Sequence, residues 1–171
     1  MKRLGLLVAC GVWAGLAGAQ VPAAPTKLVL TTDDAGQRVA FAIPRAWRFR
    51  GGVLTDGQGR KVGELAPGTL PGCPYASGAA YLAELRAGYP DDVGDPRFVG
   101  SQTLVLANAT WTEGVRNVPA WDGARNAGRW YAHSFFARLG KQCFALTFYS
   151  PQRQLPGEDT YRKILASIKL L

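Results

Sequence analysis

The chain has 171 residues, of which 47% are hydrophobic and 19% are charged, and its formal net charge is +8 at pH 7. This length suits one domain, and the hydrophobic content excludes a disordered chain. The basic charge fits an anionic surface or nucleic acid as a partner, but it also simply keeps an exported protein in solution.

The first nineteen residues have the pattern of a secretory signal peptide. Lys2 and Arg3 give a positive start, residues 4–17 are apolar, and Ala17-Gly18-Ala19 has the small-x-small form that signal peptidase cleaves. The apolar stretch is shorter than the about 20 residues of a spanning helix. We therefore expect an exported protein, periplasmic or secreted. Loss of the two basic residues lowers its charge from +8 to +6 and leaves a mature chain without a transmembrane segment.

A second interpretation of the leader is a lipobox. Residues 7–10, Leu-Val-Ala-Cys, match that motif, and lipidation of Cys10 would anchor the chain. Lipoproteins normally continue into a polar tether, whereas residues 11–16 are apolar. Cleavage after Ala19 is therefore the interpretation that we favour.

The N-terminal half of the mature chain is predicted to be mostly strands. After a flexible lead-in over 20–26, strands are expected over 27–30 and 38–43, where Val39, Phe41 and Ile43 alternate onto one face. Residues 47–54 and 60–65 are expected to pair around the turn Asp56-Gly57-Gln58-Gly59.

Two helices are predicted. Ser77 is a suitable N-cap for a helix that ends near Gly88, with an apolar face formed by Tyr81, Leu82 and Leu85. A terminal helix over 158–170 has four apolar residues at helical spacing, with acids in its first turn and Lys169 in its last. The four residues are Tyr161, Ile164, Leu165 and Ile168.

The remaining strands are predicted with unequal clarity. Residues 98–106 form one strand, and 130–138 and 141–149 form a long hairpin joined at Leu139-Gly140. Residues 107–126 show only strand fragments. Since hairpin-joined strands dominate, we expect one α+β domain over 27–171, with a mostly antiparallel sheet covered by helices.

Two cysteines remain once the leader is removed. Cys73 and Cys143 lie far apart in sequence in an oxidising compartment, which predicts a structural disulfide. A metal site or a redox pair is the alternative. A metal requires more ligands than two thiolates and a lone histidine, and a Cys-x-x-Cys motif is absent.

Three segments resemble the Mog/PsbP-like superfamily, which includes PsbP/DcrB-like exported accessory proteins. Residues 41–47, Phe-Ala-Ile-Pro-Arg-Ala-Trp, resemble its opening strand, and 144–151 with the Ile-Leu-Ala-Ser-Ile of 164–168 resemble its closing hairpin, loop and helix. The resemblance implies an α/β/α sandwich around an antiparallel sheet and a role as an accessory or binding subunit. It carries over no catalytic residue, so it implies a protein without enzymatic activity.

Five basic residues form a candidate anion-binding surface: Arg45, Arg48, Arg50, Arg60 and Lys61. On a strand, Arg48 and Arg50 share one face while Trp47 and Phe49 share the other. The basic face is either solvated or a contact for anionic lipid or glycopolymer. No nucleic-acid-binding module accompanies it, so a nucleic-acid partner is not expected.

Four aromatic residues in or beside the irregular segment are candidate contacts for a partner or ligand: Trp111, Trp121, Trp130 and Tyr131. Aromatics in a loop-rich region can form a binding platform. They can equally belong to the core, and the sequence leaves both interpretations open.

Catalytic and metal sites are weakly indicated. His133, the only histidine, neighbours Ser134, but adjacent strand residues point to opposite faces, so the pair is not a dyad. His133 is therefore predicted to be structural. The carboxylates Asp91, Asp92 and Asp95 lack the spacing of a calcium loop.

Three glutamates, Glu64, Glu84 and Glu113, show no feature that marks two of them as an acid/base pair. We therefore predict no metal, no cofactor and no catalytic residue.

The leading hypothesis is an exported, disulfide-stapled, non-enzymatic accessory or binding protein of the cell envelope or periplasm. Its partner is an unidentified protein or small molecule. One alternative is a basic surface protein that associates with anionic lipid or glycopolymer. The second is an unrecognised hydrolase, which would be favoured by His133 lying beside a carboxylate in a deep pocket.

Overall fold

The computed structural model describes residues 26–32, 38–64, 73–88, 96–122 and 125–171. The predicted signal peptide, the lipobox with Cys10, the lead-in over 20–25 and the acidic turn with Asp91, Asp92 and Asp95 lie outside the described residues. Within the described parts, no helix is long and apolar enough to cross a membrane.

The described residues form ten strands and two helices. In chain order these are β1 (Thr26–Thr32), β2 (Arg38–Pro44), β3 (Arg48–Arg50), β4 (Val53–Thr55), β5 (Lys61–Glu64), α1 (Gly78–Ala87), β6 (Arg97–Val105), β7 (Thr110–Asp122), β8 (Arg125–Leu139), β9 (Gln142–Ser150), α2 (Glu158–Ser167) and β10 (Lys169–Leu170).

The strands form two sheets in which each described pair is antiparallel. The smaller sheet has the order β1-β2-β10, and the larger has the order β3-β4-β5-β9-β8-β7-β6. The predicted class, a sheet-dominated α+β fold, is confirmed. Consecutive hairpins connect β6 through β9, so four of the seven described strands of the larger sheet form a meander.

Side-chain alternation on β8 and β9 builds a hydrophobic layer on each face of the larger sheet. Phe135 and Phe148 point toward α2, where the Tyr161 ring lies 4.5 Å from the Phe148 ring, and the predicted apolar faces of β2 and α2 complete this core. Phe136 and Cys143 point the other way and pack against Tyr81 and Leu85 of α1. The helix α2 therefore packs on the β8–β9 hairpin.

The disulfide between Cys73 and Cys143 is confirmed, with the two Cα atoms 5.0 Å apart. It joins the segment before α1 to β9 across a sequence separation of 70 residues. The cap of α1 is also confirmed, because the Ser77 side chain accepts a hydrogen bond from the Ala80 N–H at 3.2 Å. The covalent bond and the cap therefore fix the same end of the helix.

Three sequence-based boundaries are wrong. The strand expected over 47–54 is split into β3 and β4, because Gly51 and Gly52 adopt positive φ angles of 54° and 79° and turn the chain back on itself. The irregular segment is mostly β7, a continuous strand from Thr110 to Asp122. The terminal helix ends at Ser167, so Lys169 lies in β10 and not in the last helical turn.

The early end of α2 has a visible cause in its side chains. The Ser167 hydroxyl donates to the Ile164 carbonyl at 2.7 Å and accepts from the Ala42 N–H of β2 at 2.8 Å. Ile168 then has an extended backbone, and the next two residues pair with β2. Contacts with β2 therefore end the helix at Ser167, and the residues that follow form the third strand of the smaller sheet.

Candidate functional site

A buried polar cluster lies on the α2 face of the larger sheet. Glu113 of β7 and His133 of β8 are 3% and 2% exposed, and His133 Nδ1 lies 2.7 Å from Glu113 Oε1. The side-chain amide of Gln102 on β6 donates to the other oxygen, Oε2. Strand register explains the arrangement, because Gln102 pairs with Glu113, and His133 pairs with Val115 two residues further along β7.

One atom of this cluster has no partner. His133 Nε2 is buried and makes no hydrogen bond with any described residue. A buried polar group without a partner costs about 1–3 kcal/mol. A buried polar atom without a hydrogen-bond partner in a folded protein therefore requires an explanation.

His133 and Glu113 line a cavity of about 260 Å³. Its walls come from β6, β7, β8, the segment 153–155 and α2. The apolar walls include Leu104, Phe135, Leu155 and Leu165, all buried. Four polar residues of the lining are exposed, namely Gln102, Arg153, Gln154 and Glu158. The cavity therefore has a mixed lining of buried apolar side chains, a buried polar pair and exposed polar residues.

The charged groups around the opening have identified contacts. Arg153 donates from Nη2 to the Val99 carbonyl at 3.0 Å, which fixes the segment after β9 against β6. Arg162 of α2 pairs with Glu158 one turn earlier, with 2.6 Å between Nη2 and Oε1. This pair is neutral overall, whereas the contact of Arg153 with a carbonyl does not neutralise its charge, so the opening retains one positive charge.

Two serines near His133 have their side chains on the opposite, α1 face of the larger sheet. Ser101 lies at the edge of the cavity, but it pairs with Gly114 and its side chain belongs to the α1 face. Ser134 is also on that face, where its hydroxyl lies 3.0 Å from that of Thr147. The predicted opposition of His133 and Ser134 is therefore confirmed.

The phenol of Tyr161 and the set of possible metal ligands also bear on the chemistry of the cavity. Burial raises the pKa of Tyr161, which also lines it, so this phenol stays neutral. Among the described residues, no group of three or more His, Cys, Asp or Glu side chains could hold a metal ion.

The five predicted anion-binding residues lie on β3, β5 and the adjoining turns, away from the cavity walls. Arg45, Arg48 and Arg50 are exposed. Arg60 and Lys61 have carboxylate partners: Asp56 is 2.7 Å from Arg60 Nη2, and Glu64 is 2.5 Å from Lys61 Nζ. Lys61 also lies over the Tyr149 ring, 4.6 Å from its centroid. An anion-binding role stays a prediction for all five residues.

The four candidate aromatics do not share one environment. Trp111 is 0% exposed, and its ring N–H donates to Asn108 Oδ1 at 3.2 Å, so it occupies a core position. Trp130 and Tyr131 are half-buried neighbours on β8 and point to opposite faces. The side chain of Trp121 lies outside the described residues. A binding role for Trp130 and Tyr131 stays a prediction.

Sequence reasoning missed Glu113 and Gln102 as members of a site. The available pattern was the alternation of Trp111, Glu113 and Val115, which places one carboxylate on the apolar face of a strand. A charged residue at a core position requires a partner, and His133 was the one histidine to consider. The pattern was hidden because β7 was not recognised as a strand.

No known family model matches the chain, and no curated protein matches it. Among solved structures, it is similar to the solution structure of cyanobacterial PsbP (CyanoP) from Synechocystis sp. PCC 6803. The two are 10% identical, with a TM-score of 0.48, and the similarity covers 92% of this chain and 100% of that one.

Proposed function

We propose that this chain is an exported, non-enzymatic binding protein of the cell envelope or periplasm, and that its ligand site is the cavity at Glu113 and His133. The observation that carries the proposal is the cavity of about 260 Å³, which is lined by the buried Glu113–His133 pair, by buried apolar side chains and by exposed polar residues. Concave sites with apolar walls and few oriented polar groups are typical of small-molecule binding.

Two further features support export and the absence of catalysis. The leader has a signal-peptide pattern, and the disulfide fits an oxidising compartment. The one serine among the described cavity walls, Ser101, has its side chain on the α1 face by strand register. Membership of the Mog/PsbP-like superfamily is proposed on the sequence motifs, and its accessory role agrees with binding.

The proposal is tested by blocking the cavity. A Cβ at Gly100, on the cavity wall, would lie 3.9 Å from Arg153 Nη2, so Gly100→Leu adds volume at the opening without a backbone clash. The matched control is Thr103→Leu, which adds apolar volume to an exposed position of β6 outside the cavity walls.

We expect ligand-detected NMR with a library of neutral fragments to find compounds that bind the wild-type protein and Thr103→Leu. The same compounds should fail to bind Gly100→Leu. Compounds that bind all three proteins alike, or a library without any binder, would contradict a ligand site in the cavity.

A hydrolase is the second candidate, because His133 does lie beside a carboxylate in a cavity. A water molecule activated by the Glu113–His133 pair would be the nucleophile. Saturable hydrolysis of a para-nitrophenyl ester that His133→Gln abolishes, with Thr103→Leu unaffected, would replace the binding proposal with this one.

A further inference from the structure

We propose that the cavity takes a small amphipathic carboxylate, with the apolar body of the ligand inside and its carboxylate group on Arg153 at the opening. This inference rests on the proposed binding function and adds the charge and polarity of the ligand. It starts from Arg153, the arginine of the described cavity walls whose charge no carboxylate neutralises.

The guanidinium of Arg153 is held in place but only partly engaged. Its Nη2 donates to the Val99 carbonyl at 3.0 Å, which fixes the group beside β6. Its Nε and Nη1 donate to no described residue. A guanidinium offers donors in a planar arrangement that matches the two oxygens of a carboxylate. Because the side chain already has a fixed contact, ordering it around a ligand costs less entropy.

The space beside this guanidinium is open. Arg153 is exposed, so an anion can reach it from solvent. Gly100 lies next to it on the cavity wall, and a Cβ at that position would be 3.9 Å from Arg153 Nη2. Since glycine has no side chain, this part of the opening remains available to a ligand.

The carboxylates of the described lining do not offer a site for a cation. One oxygen of Glu113 contacts His133 Nδ1, and the other accepts from Gln102. Glu158 is paired with Arg162. An ammonium group that entered the cavity would therefore lose hydration without gaining an unpaired anion. The unneutralised charge at the opening instead favours an anionic ligand.

The buried part of the lining determines which end of the ligand goes inside. Leu104, Phe135 and Leu165 are buried, so an apolar body leaves water when it packs against them. Glu113 is buried as well, and it would repel a second carboxylate placed beside it. A dry cavity of about 150 Å³ holds benzene, so the volume of about 260 Å³ admits a ring with two small substituents.

The test compares para-methylbenzoate with para-methylbenzamide, which has nearly the same shape and no charge. An exposed ion pair contributes up to about 1 kcal/mol, which corresponds to about a fivefold difference in affinity. We expect the wild-type protein to bind the carboxylate about fivefold more tightly than the amide at low ionic strength. Ligand-detected NMR titration gives both affinities.

Two variants locate the source of this preference. Arg153→Gln removes the charge at the opening, so it should bind the two compounds about equally while its affinity for the amide stays that of the wild-type protein. An unchanged amide affinity shows that the cavity is intact. The matched control is Arg48→Gln, which lowers the net charge equally at an exposed position outside the cavity walls and should keep the preference.

Salt provides a measurement on the wild-type protein alone. Raising the ionic strength from about 0.01 M to about 1 M shortens the Debye length from about 30 Å to about 3 Å. We expect the two affinities to converge, because only that of the carboxylate falls. This result decides the inference even if Arg153→Gln binds neither compound. A preference that is independent of salt would contradict recognition by an exposed arginine.

The outcomes separate this inference from the proposed function. Equal affinities of the wild-type protein for the two compounds, both lost in Gly100→Leu, would overturn carboxylate recognition and leave the cavity as a binding site. A preference that survives in Arg153→Gln, or that Arg48→Gln removes equally, would do the same. If neither compound binds while other fragments pass the cavity-blocking test, the assigned ligand class is wrong. Binding unaffected by Gly100→Leu would contradict both proposals.

Discussion

Glu113 and His133 depend on each other for their hydrogen bonding, because both side chains are almost completely shielded from water. Glu113 accepts from Gln102 as well, so its removal affects three residues at once. We expect Glu113→Ala to lower the free energy of unfolding by about 1–3 kcal/mol, the cost of leaving buried polar groups unpaired. Urea denaturation measures this change.

Glu113→Gln is the matched control, since it keeps the volume and an acceptor for His133 Nδ1. It should lose less stability than Glu113→Ala. An alanine variant as stable as the wild-type protein would show that the polar cluster contributes nothing to folding.

The exposed arginines of β3 are expected to contribute little to stability. Arg48 and Arg50 point to solvent, whereas Phe49 between them packs edge-on against Phe41 at a centroid distance of 5.2 Å. Replacing each arginine with alanine should change stability by no more than about 0.5 kcal/mol. Phe49→Ala, the control on the same strand, should be clearly more destabilising in thermal unfolding. A large loss for the arginine variants would contradict their solvent-facing orientation.

Among the elements, α2 has the largest predicted effect on stability. Ile164 is 1% exposed and lies in the core between the two sheets, so Ile164→Ala should cost about 2–5 kcal/mol. Lys163→Ala is the control, because Lys163 is its exposed neighbour. Chemical denaturation of both variants gives the comparison. A mild effect of Ile164→Ala would mean that the α2–sheet contact is not what holds the core together.

A comparison of α2 with β7 shows why some elements could be predicted from the sequence and others could not. In α2, the spacing of Tyr161, Ile164 and Leu165 repeats with the helical period and is independent of the rest of the chain. In β7, Gly114 and Pro119 are poor strand formers, so the sequence indicated only fragments. Pairing on both sides, with β6 and β8, makes this segment a strand.

The candidate site was less predictable than the fold for a related reason. Gln102, Glu113 and His133 come from three strands, and only the register of those strands brings them together. The opening includes Arg153 in an irregular segment whose path no local pattern indicates. The disulfide pairing was predicted readily, because Cys73 and Cys143 are the two cysteines outside the predicted leader.

At the scale of the whole molecule, the disulfide joins the α1 side to the strand at the centre of the larger sheet. Cross-linking residues separated by 70 positions restricts the unfolded chain, which the chain-entropy model values at about 4 kcal/mol. We expect the variant with both Cys73→Ser and Cys143→Ser to lose stability of this order in urea denaturation.

Reductant provides the control for this prediction. It should destabilise the wild-type protein and leave the double variant unchanged. Equal stability of the oxidised wild-type protein and the double variant would show that the bond has no stabilising role.

The hairpin order of the larger sheet has a consequence for the sequence of events during folding. Contacts between β7 and β8 join residues close in the chain, so their loop closure costs little entropy and they form early. Glu113 and His133 are brought together by this hairpin, whereas the wall opposite them is α2 and the segment before it. We therefore expect the polar pair to assemble while it is still hydrated. The docking of α2 is then the step that removes water from the pair and creates the cavity.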